Sequence, residues 1–351
     1  MKNLYVLIVA IISFSIKPVH SQELIKDFLA GPGNDSQELI EGWMAPFGAW
    51  FGSGLNAGWY NTGKPHRFPG FDVTAGIHFI TPPEGARTFK PDLETLVVNS
   101  ANGEISTFVG PDNTSEIGII DPQDPNNFIP LFQAPGGIGW DKSVPMPYVQ
   151  GSIGLIRDTE ILFRIAPEIN AQDLKMGYWG FGLKHDFKQW IPGAKILPFD
   201  LSFLAGYSKL NSSLTFNPGQ DMSFGVKAFN SNLILSKKIL FFTPYVGVGY
   251  QYSKSALKLN GEYTIYDWNG SDIEPGYEMT INDPFDFSFG GVNGFKATMG
   301  ARIKLFLFTL HVDWTKAEYD VFTIGIGLNS DIGSKIIGGS IENGIRKTDL
   351  N

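Results

Sequence analysis

The feature that most constrains this chain is an alternation of apolar and polar residues that recurs in short segments between residues 52 and 329. Successive side chains of a β-strand point to opposite faces, so a period of two indicates a strand with one apolar and one polar face. The segment 199–208 follows the pattern well, although Leu204 interrupts its polar face. Its apolar face carries Phe199, Leu201, Phe203, Ala205 and Tyr207. Beyond its N-terminal region the chain is therefore predicted to be all-β.

The predicted strands are joined by turns that are often tight, as at 157–159, 237–239 and 316–318. Short turns of this kind indicate sequential antiparallel hairpins. Larger loops are predicted at 81–145, 188–197, 211–221 and 260–291. The clearest strand segments are 52–61, 71–80, 146–156, 159–169, 175–187, 199–208, 223–235, 242–253, 294–304, 307–315 and 321–329.

The two faces of these strands favour a membrane barrel over an exported soluble sandwich or lipocalin-like barrel, which would also alternate. One face is large and aliphatic or aromatic on nearly every strand, and segments of about 9–12 residues match a tilted crossing of a bilayer. Trp and Tyr recur near strand ends, where aromatic girdles lie in such barrels. An open sheet edge would leave backbone groups unpaired in hydrocarbon. We therefore predict a closed antiparallel transmembrane β-barrel of about 12–14 strands.

The first 21 residues have the three parts of a secretory signal peptide. Lys2 supplies the positive start, residues 4–16 are apolar, and Val19-His20-Ser21 places compact residues before a cleavage site. The apolar run is too short for a membrane anchor, because a helix needs about 20 apolar residues to cross a bilayer. No Cys follows it, which excludes a lipid-anchored lipoprotein. We predict cleavage before Gln22 and export to the outer membrane of a Gram-negative cell.

Residues 22–51 are the one region with a clear helical pattern, which is broken at 31–35 and again at Pro46. A barrel of about 12–14 strands is too wide for small side chains to fill, so it must be plugged or conduct water. This helical segment is the natural plug of a barrel predicted over 52–329, with the long loop 81–145 and a polar tail at 330–351. Four aromatic side chains are expected to line an inner pocket: Trp43, Phe47, Trp50 and Phe51.

Charge and residue content exclude several classes of function. Removal of Lys2 and Lys17 with the signal peptide leaves 25 Lys and Arg against 35 Asp and Glu, which argues against nucleic-acid binding. The absence of Cys excludes thiol nucleophiles, disulfides and thiolate zinc sites. Neither a metal nor a cofactor is expected, because His is not clustered and the Asp121 to Asn127 segment favours turn chemistry over a Ca²⁺ loop.

Two groups of charged residues are candidate binding sites. In the segment 61–67, His66 and Arg67 suggest contact with an anion or a lipid headgroup, whereas the simpler alternative is a solvated turn that meets acidic residues of the plug. The predicted lumen face carries Arg164, Lys184 and Arg302. Acidic residues on the same face nearly balance these cations, which favours mutual pairing around a plug over a selectivity ring of one sign.

Three stretches resemble an uncharacterised family of outer-membrane β-barrels. They are 58–76, 180–208 and 301–329, and the most specific portion is GLKHDFKQWIP within the second. More distantly, an N-terminal helical hatch followed by about 14 strands resembles the long-chain fatty-acid transporter superfamily, and this implies uptake of hydrophobic small molecules. That superfamily's hatch motif and terminal Phe are absent here, so none of its substrate residues is carried over.

The leading functional hypothesis is a passive transporter or channel for small or hydrophobic molecules, with outer-membrane lipid and a hydrophobic small molecule as partners. The alternative is a non-transporting structural or surface-interaction barrel that binds through the loops 81–145 and 260–291. A barrel-embedded hydrolase around His311 and Asp313 is a third and weaker hypothesis, because a His–Asp pair two residues apart needs a further partner for chemistry. We therefore expect no enzymatic activity.

Overall fold

The computed structural model describes residues 33–139, 143–171, 173–193, 196–266 and 278–330. The predicted signal peptide, the first part of the predicted plug and nearly all of the predicted tail lie outside these residues. One long helix, α1 (Gly33–Asn56), precedes all the strands. In chain order the strands are β1 (Phe71–Thr81), β2 (Thr88–Phe89), β3 (Val97–Asn99), β4 (Ile105–Ser106), β5 (Ser115–Ile120), β6 (Phe128–Ala134), β7 (Val144–Gly154), β8 (Thr159–Ala171), β9 (Leu174–Asp186), β10 (Asp200–Asn217), β11 (Gln220–Ser236), β12 (Phe242–Asn260), β13 (Glu262–Tyr266), β14 (Glu278–Asn282), β15 (Phe285–Leu305), β16 (Phe308–Lys316) and β17 (Asp320–Ser330).

Ten of these strands form a closed antiparallel barrel in the order β1-β17-β16-β15-β12-β11-β10-β9-β8-β7. The barrel closes where β1 pairs with β17, from Phe71 opposite Ser330 to Thr81 opposite Asp320. On its other side β1 pairs antiparallel with β7. Each barrel strand therefore has a hydrogen-bonded neighbour on both sides, so the sheet has no edge strand. The predicted closed antiparallel β-barrel is confirmed.

The two ends of the barrel differ, and we call them the loop end and the turn end. The loop end carries the connections 82–143 and 261–284, which contain the small sheets β2-β4, β3-β5-β6 and β13-β14. The turn end carries shorter connections, among them 155–158, 237–241 and 306–307. The first residue of β1 and the last residue of β17 also lie there. The strands β10, β11, β12 and β15 are 17 to 21 residues long and lengthen the wall on the loop-end side.

The barrel has ten strands, whereas the sequence predicted about 12–14. Every clear strand segment became a barrel strand except 52–61, which is the end of α1 followed by an irregular segment. The small residues Gly52, Ser53 and Gly54 give this segment the alternation of small and large residues that is typical of a strand, although they lie in a helix. Their real role is to let the helix approach the wall, since a Cβ on Gly52 would lie 2.7 Å from Cβ of Ser253.

The predicted break at Pro46 is also corrected, because α1 runs through this residue to Asn56. A proline removes one helical N–H and strains the preceding turn. Here α1 packs against β15, β12 and β11, and the hydroxyl of Tyr319 donates to the carbonyl oxygen of Pro46 at 3.3 Å. No helix in the described part of the chain is long and apolar enough to cross a membrane.

The wall of the barrel is apolar outside and largely polar inside. On β16, Phe308, Leu310, Val312 and Trp314 face outward, whereas Thr309, His311, Asp313 and Thr315 are buried in the lumen. This distribution is the reverse of that in a water-soluble barrel, whose outer face is polar. The main hydrophobic core lies between α1, the loop end and the inner wall.

Candidate functional site

The lumen is occupied by α1 and by the irregular segment 57–70, which we together call the plug (residues 33–70). The helix begins at the loop end, contacts β15, β12 and β11, and ends near mid-barrel. Glycines on its wall-facing side allow a close approach. A Cβ on Gly48 would lie 3.1 Å from Cβ of Ser255, and a Cβ on Gly54 would touch Met146. The chain then continues to the turn end, where β1 begins at Phe71.

The aromatic residues predicted to line a pocket pack against one another near the loop end. Phe47 lies 4.8 Å from Phe51 and 5.2 Å from Phe224, measured between ring centroids. Trp43 and Phe47 also contact Phe108 of the long loop. Trp50 and Phe51 are both buried. The structure thus brings all four residues into one aromatic cluster near the loop end.

The start of α1 is tied to the long loop by a single carboxylate. Asp35 is buried, and it accepts hydrogen bonds from the backbone N–H groups of Glu94, Thr95 and Leu96 at 2.8–2.9 Å. Further along, the N–H of Phe108 donates to the carbonyl of Trp43 at 2.9 Å. The plug and the 82–143 connection therefore form one layer across the loop end.

The end of α1 is held by two cations from the barrel wall. The last carbonyls of a helix have no intrahelical donor and carry partial negative charge. Lys296 of β15 donates to the carbonyl of Asn56 at 2.6 Å. Arg164 of β8 donates through Nη1 to the carbonyl of Ala57 and through Nη2 to that of Gly58, both at 2.7 Å. These charge-assisted bonds fix the point where the helix gives way to the irregular segment.

Arg164 is fully buried and also serves as the centre of a stack. Its guanidinium carbon lies 4.5 Å from the ring centroid of Trp59 and 4.7 Å from that of Tyr148. Gln150 accepts from its Nε and Nη2 at 3.2 and 2.8 Å. Tyr148 in turn stacks on His78 at 4.4 Å. A planar cation with five donors suits this position, because it satisfies carbonyls and aromatic faces together.

Trp59 fills a recess in the wall that is made of glycines. A Cβ on Gly182 would lie 2.7 Å from the Trp59 ring, and Cβ atoms on Gly180 and Gly206 would each lie 3.1 Å from it. The indole N–H donates to the carbonyl of Leu55 at 2.8 Å. The side chain has no exposed surface. The wall glycines therefore leave room for this one large ring inside the barrel.

Near the turn end, His66 of the plug meets a buried ion pair of the wall. Lys184 Nζ lies 2.7 Å from Glu160 Oε2, and His66 Nδ1 lies 3.0 Å from Glu160 Oε1. The backbone N–H of His66 also donates to Glu160 at 3.1 Å, and the His66 Nε2 faces the amide of Asn329. Arg67 is exposed and pairs with Asp158 at 2.9 Å. The structure thus separates the two residues of the predicted rim site.

The sequence predicted that the lumen cations would pair with lumen carboxylates. In the structure several of them instead donate to carbonyl and amide oxygens of the plug. Arg302 Nη1 donates to the side-chain oxygen of Asn61 at 3.0 Å. Arg164 and Lys296 use backbone carbonyls, and Lys184 pairs with the carboxylate of Glu160 on the wall. These contacts attach the plug to the wall, mainly through its backbone carbonyls. They do not form a selectivity ring of like-charged side chains around an open lumen.

A family model described as a family of unknown function, DUF6588, matches residues 1–330. The chain belongs to this family. The comparison with curated proteins gives no match. None of the comparisons shows a specific resemblance of this DUF6588 protein to the long-chain fatty-acid transporters.

Three solved structures are similar to this DUF6588 protein in arrangement, at low identity. The outer membrane protease OmpT of Escherichia coli is 8% identical, with 74% of this chain and 97% of OmpT covered and a TM-score of 0.37. The translocator domain of the autotransporter NalP of Neisseria meningitidis is 9% identical, with coverages of 79% and 90% and a TM-score of 0.27. The Pseudomonas putida toluene transporter TodX is 9% identical, with coverages of 74% and 67% and a TM-score of 0.24. These scores are too low to support an argument about function.

The candidate catalytic residues His311 and Asp313 contact other side chains in the DUF6588 protein. His311 Nε2 lies 3.2 Å from the hydroxyl of Tyr148, and Asp313 accepts from Tyr245 at 3.0 Å. Over the described ranges no hydrogen bond joins His311 to Asp313, and no group of three His, Asp or Glu could hold a metal. Asp121 accepts from the N–H of Gln123, which holds the pKa of its carboxyl below the usual range, as in a turn.

Sequence reasoning missed Glu160, Gln150 and the recess around Trp59. One signal was present, because Glu160, Leu162 and Arg164 share a face at a period of two, which places the acid on the lumen side with the arginine. The recess had no such signal. Gly180, Gly182 and Gly206 look like ordinary small residues of a polar strand face until the position of Trp59 is known.

Proposed function

We propose that this DUF6588 protein is a sealed outer-membrane barrel that does not transport solutes in the state described, and that it acts through the surface of its loop end. The observation that carries the proposal is the attachment of the plug. Buried Arg164 and Lys296 hold three consecutive carbonyls at residues 56–58, and Trp59 fills its recess completely.

The outer wall supports the membrane location. Large apolar side chains are exposed on every barrel strand, and on β12 they run from Phe242 to Tyr252. Ten residue steps of about 3.4 Å, tilted by about 40°, give a band about 26 Å tall, which is close to that of outer-membrane barrels. A band of this height has no other favourable environment than acyl chains or detergent.

The loop end supports a role in surface interaction. The 82–143 connection is long and carries its own three-stranded sheet β3-β5-β6, with Val97 and Ile120 exposed. Its attachment to Asp35 and Trp43 of the plug keeps it in place over the lumen. Long loops held on a rigid scaffold are where binding surfaces are commonly found. With the lumen closed, this surface remains available to a partner.

Conductance in planar bilayers tests the sealed state. We expect wild-type protein to insert without a stable open-channel current, because the plug is held at residues 56–59 by buried contacts. The double variant Arg164→Gln with Lys296→Gln should open transiently, since its shorter, uncharged side chains remove the charge-assisted bonds to the carbonyls of Asn56, Ala57 and Gly58. The control variant Lys64→Gln with Arg67→Gln also removes one lysine and one arginine charge, but from exposed positions of the plug. It should stay closed. A steady open current from wild-type protein would overturn the proposal.

A second candidate is passive transport of hydrophobic small molecules, which one observation favours. The cationic anchors described above hold residues 56–61 of the plug, whereas the middle of the helix packs through apolar aromatic contacts around Phe47. Such contacts are non-directional and can exchange for contacts with an apolar solute. On this hypothesis liposomes containing wild-type protein admit a small aromatic solute faster than empty ones, and deleting residues 33–50 raises the rate. Equal rates for all three liposome types would exclude transport.

A further inference from the structure

Three lysines stand side by side on the outer wall toward the loop end. They are Lys209 of β10, Lys227 of β11 and Lys254 of β12, which we call the lysine row. The register places Lys209 opposite Lys227 and Lys227 opposite Lys254. They lie on the same strand faces as the exposed Tyr207, Phe229 and Tyr252, and so they point away from the lumen.

The lysine row marks the edge of the apolar band. One step toward the turn end on the same face lies a second registered row, formed by Tyr207, Phe229 and Tyr252. One step toward the loop end, the same face carries the small residues Asn211, Gly225 and Ala256. All three strands thus change from aromatic to cationic at a single level. In a bilayer this is the level of the lipid headgroups.

The arrangement is unfavourable without a counter-ion. Like charges directly opposite each other on adjacent strands destabilise a sheet. Over the described ranges the structure records no ion pair for any member of the lysine row, although Lys258 nearby lies 3.8 Å from Asp286. Three ammonium groups within reach of one another, at the level of the headgroups, therefore match a ligand that carries several negative charges.

A cleft in the same wall gives such a ligand room. It has a volume of about 640 Å³, and the lysine row lines it together with Lys175 and Lys258. Gly225 and Ala256 also line it, and these small residues leave space between the lysine side chains. Glu168 and Asp286 also border it, which leaves five lysines against two carboxylates.

We propose that the lysine row binds the phosphate groups of a multiply acylated, phosphorylated glycolipid of the outer leaflet, with the acyl chains against Tyr207, Phe229 and Tyr252. Ammonium groups bind phosphate through strong charge-assisted hydrogen bonds, and the aromatic row below offers apolar surface for chains that descend from the same molecule. The inference goes beyond the sealed-barrel function, and it requires that the loop end faces the outer leaflet.

Binding of diphosphoryl lipid A to the purified full-length protein in a neutral detergent tests this assignment. Native mass spectrometry would compare wild-type protein with the variant that combines Lys209→Gln, Lys227→Gln and Lys254→Gln. The matched control combines Lys90→Gln, Lys237→Gln and Lys238→Gln, which removes three exposed lysines elsewhere. Heat-modifiable gel mobility verifies that each variant is folded. Fully dephosphorylated lipid A, phosphatidylcholine and inorganic phosphate serve as further probes.

We expect at least about a tenfold loss of lipid A affinity in the row variant and less than about a twofold change in the control variant, because each lysine supplies a charge-assisted bond. Dephosphorylated lipid A and phosphatidylcholine should bind wild-type and row variant equally weakly. The assignment is overturned if wild-type protein does not retain lipid A, if the row variant retains it equally well, or if inorganic phosphate alone competes at similar concentration. None of these outcomes depends on conductance, so the sealed-barrel proposal stands or falls separately.

Discussion

Replacing Arg164 with Met is expected to lower the free energy of unfolding by about 3–5 kcal/mol, because each buried acceptor left without a donor costs about 1–3 kcal/mol. The guanidinium serves three acceptors, the carbonyls of Ala57 and Gly58 and the side-chain oxygen of Gln150. Methionine nearly keeps the volume between Trp59 and Tyr148 but donates to none of them. The change therefore isolates the hydrogen bonds from the packing.

Denaturant unfolding of the protein in lipid vesicles, followed by tryptophan fluorescence, measures this effect. The matched control is Arg67→Met, since Arg67 is exposed and its pairing with Asp158 lies at the surface. Exposed ion pairs contribute about 0–1 kcal/mol, so this control should change little. If Arg164→Met were as stable as Arg67→Met, the wall would not hold the plug through residues 57 and 58.

Replacing Gly182 with Val should lower the free energy of unfolding by about 3 kcal/mol through overpacking, nearly as much as Arg164→Met. The added Cβ would lie 2.7 Å from the Trp59 ring, which has no free direction to move in its recess. The matched control is Gly151→Val on β7, where a Cβ would meet nothing within 4 Å. Valine favours strands, so the control should be neutral or slightly stabilising.

A double-mutant cycle makes this prediction specific to Trp59. In a Trp59→Ala background the valine at position 182 has room, because the next atom it meets is the Ala205 carbonyl oxygen at 3.4 Å. The Gly182→Val change should then cost less than about 1 kcal/mol, which corresponds to a coupling of about 2 kcal/mol between contacting residues. Equal costs in both backgrounds would mean that the ring does not occupy the recess.

The barrel itself was predictable because its signal is local. Alternation along β10, β12 and β16 places large apolar residues on one face, and each pattern can be read without knowing any partner strand. The lumen position of Arg164, Lys184 and Arg302 followed from the same rule. The strand number was overestimated in part because Gly52 to Tyr60 alternates by chance, although its small residues serve helix packing.

The interior was much less predictable, because its contacts join residues that are distant in sequence. Arg164 meets carbonyls at residues 57 and 58, and Lys296 meets the carbonyl of residue 56. A backbone carbonyl carries no side-chain identity, so no sequence pattern could point to it. His66 and Arg67 are neighbours with similar chemistry, yet one is buried beside Glu160 and the other is exposed. Only the path of the plug decides between these environments.

The position of the plug inside the wall is the central claim, and disulfide trapping tests it most directly because the chain has no cysteine of its own. In the structure a Cβ on Gly48 would lie 3.1 Å from Cβ of Ser255, slightly shorter than the usual Cβ–Cβ distance in a disulfide of about 3.5–4.5 Å. Ala256 is the next residue on β12 and faces outward. Oxidation of the folded protein in membranes, followed by gel mobility, should cross-link Gly48→Cys with Ser255→Cys nearly completely and leave Gly48→Cys with Ala256→Cys reduced. Failure of the first pair to cross-link, or equal cross-linking of both pairs, would contradict a helix held within the barrel.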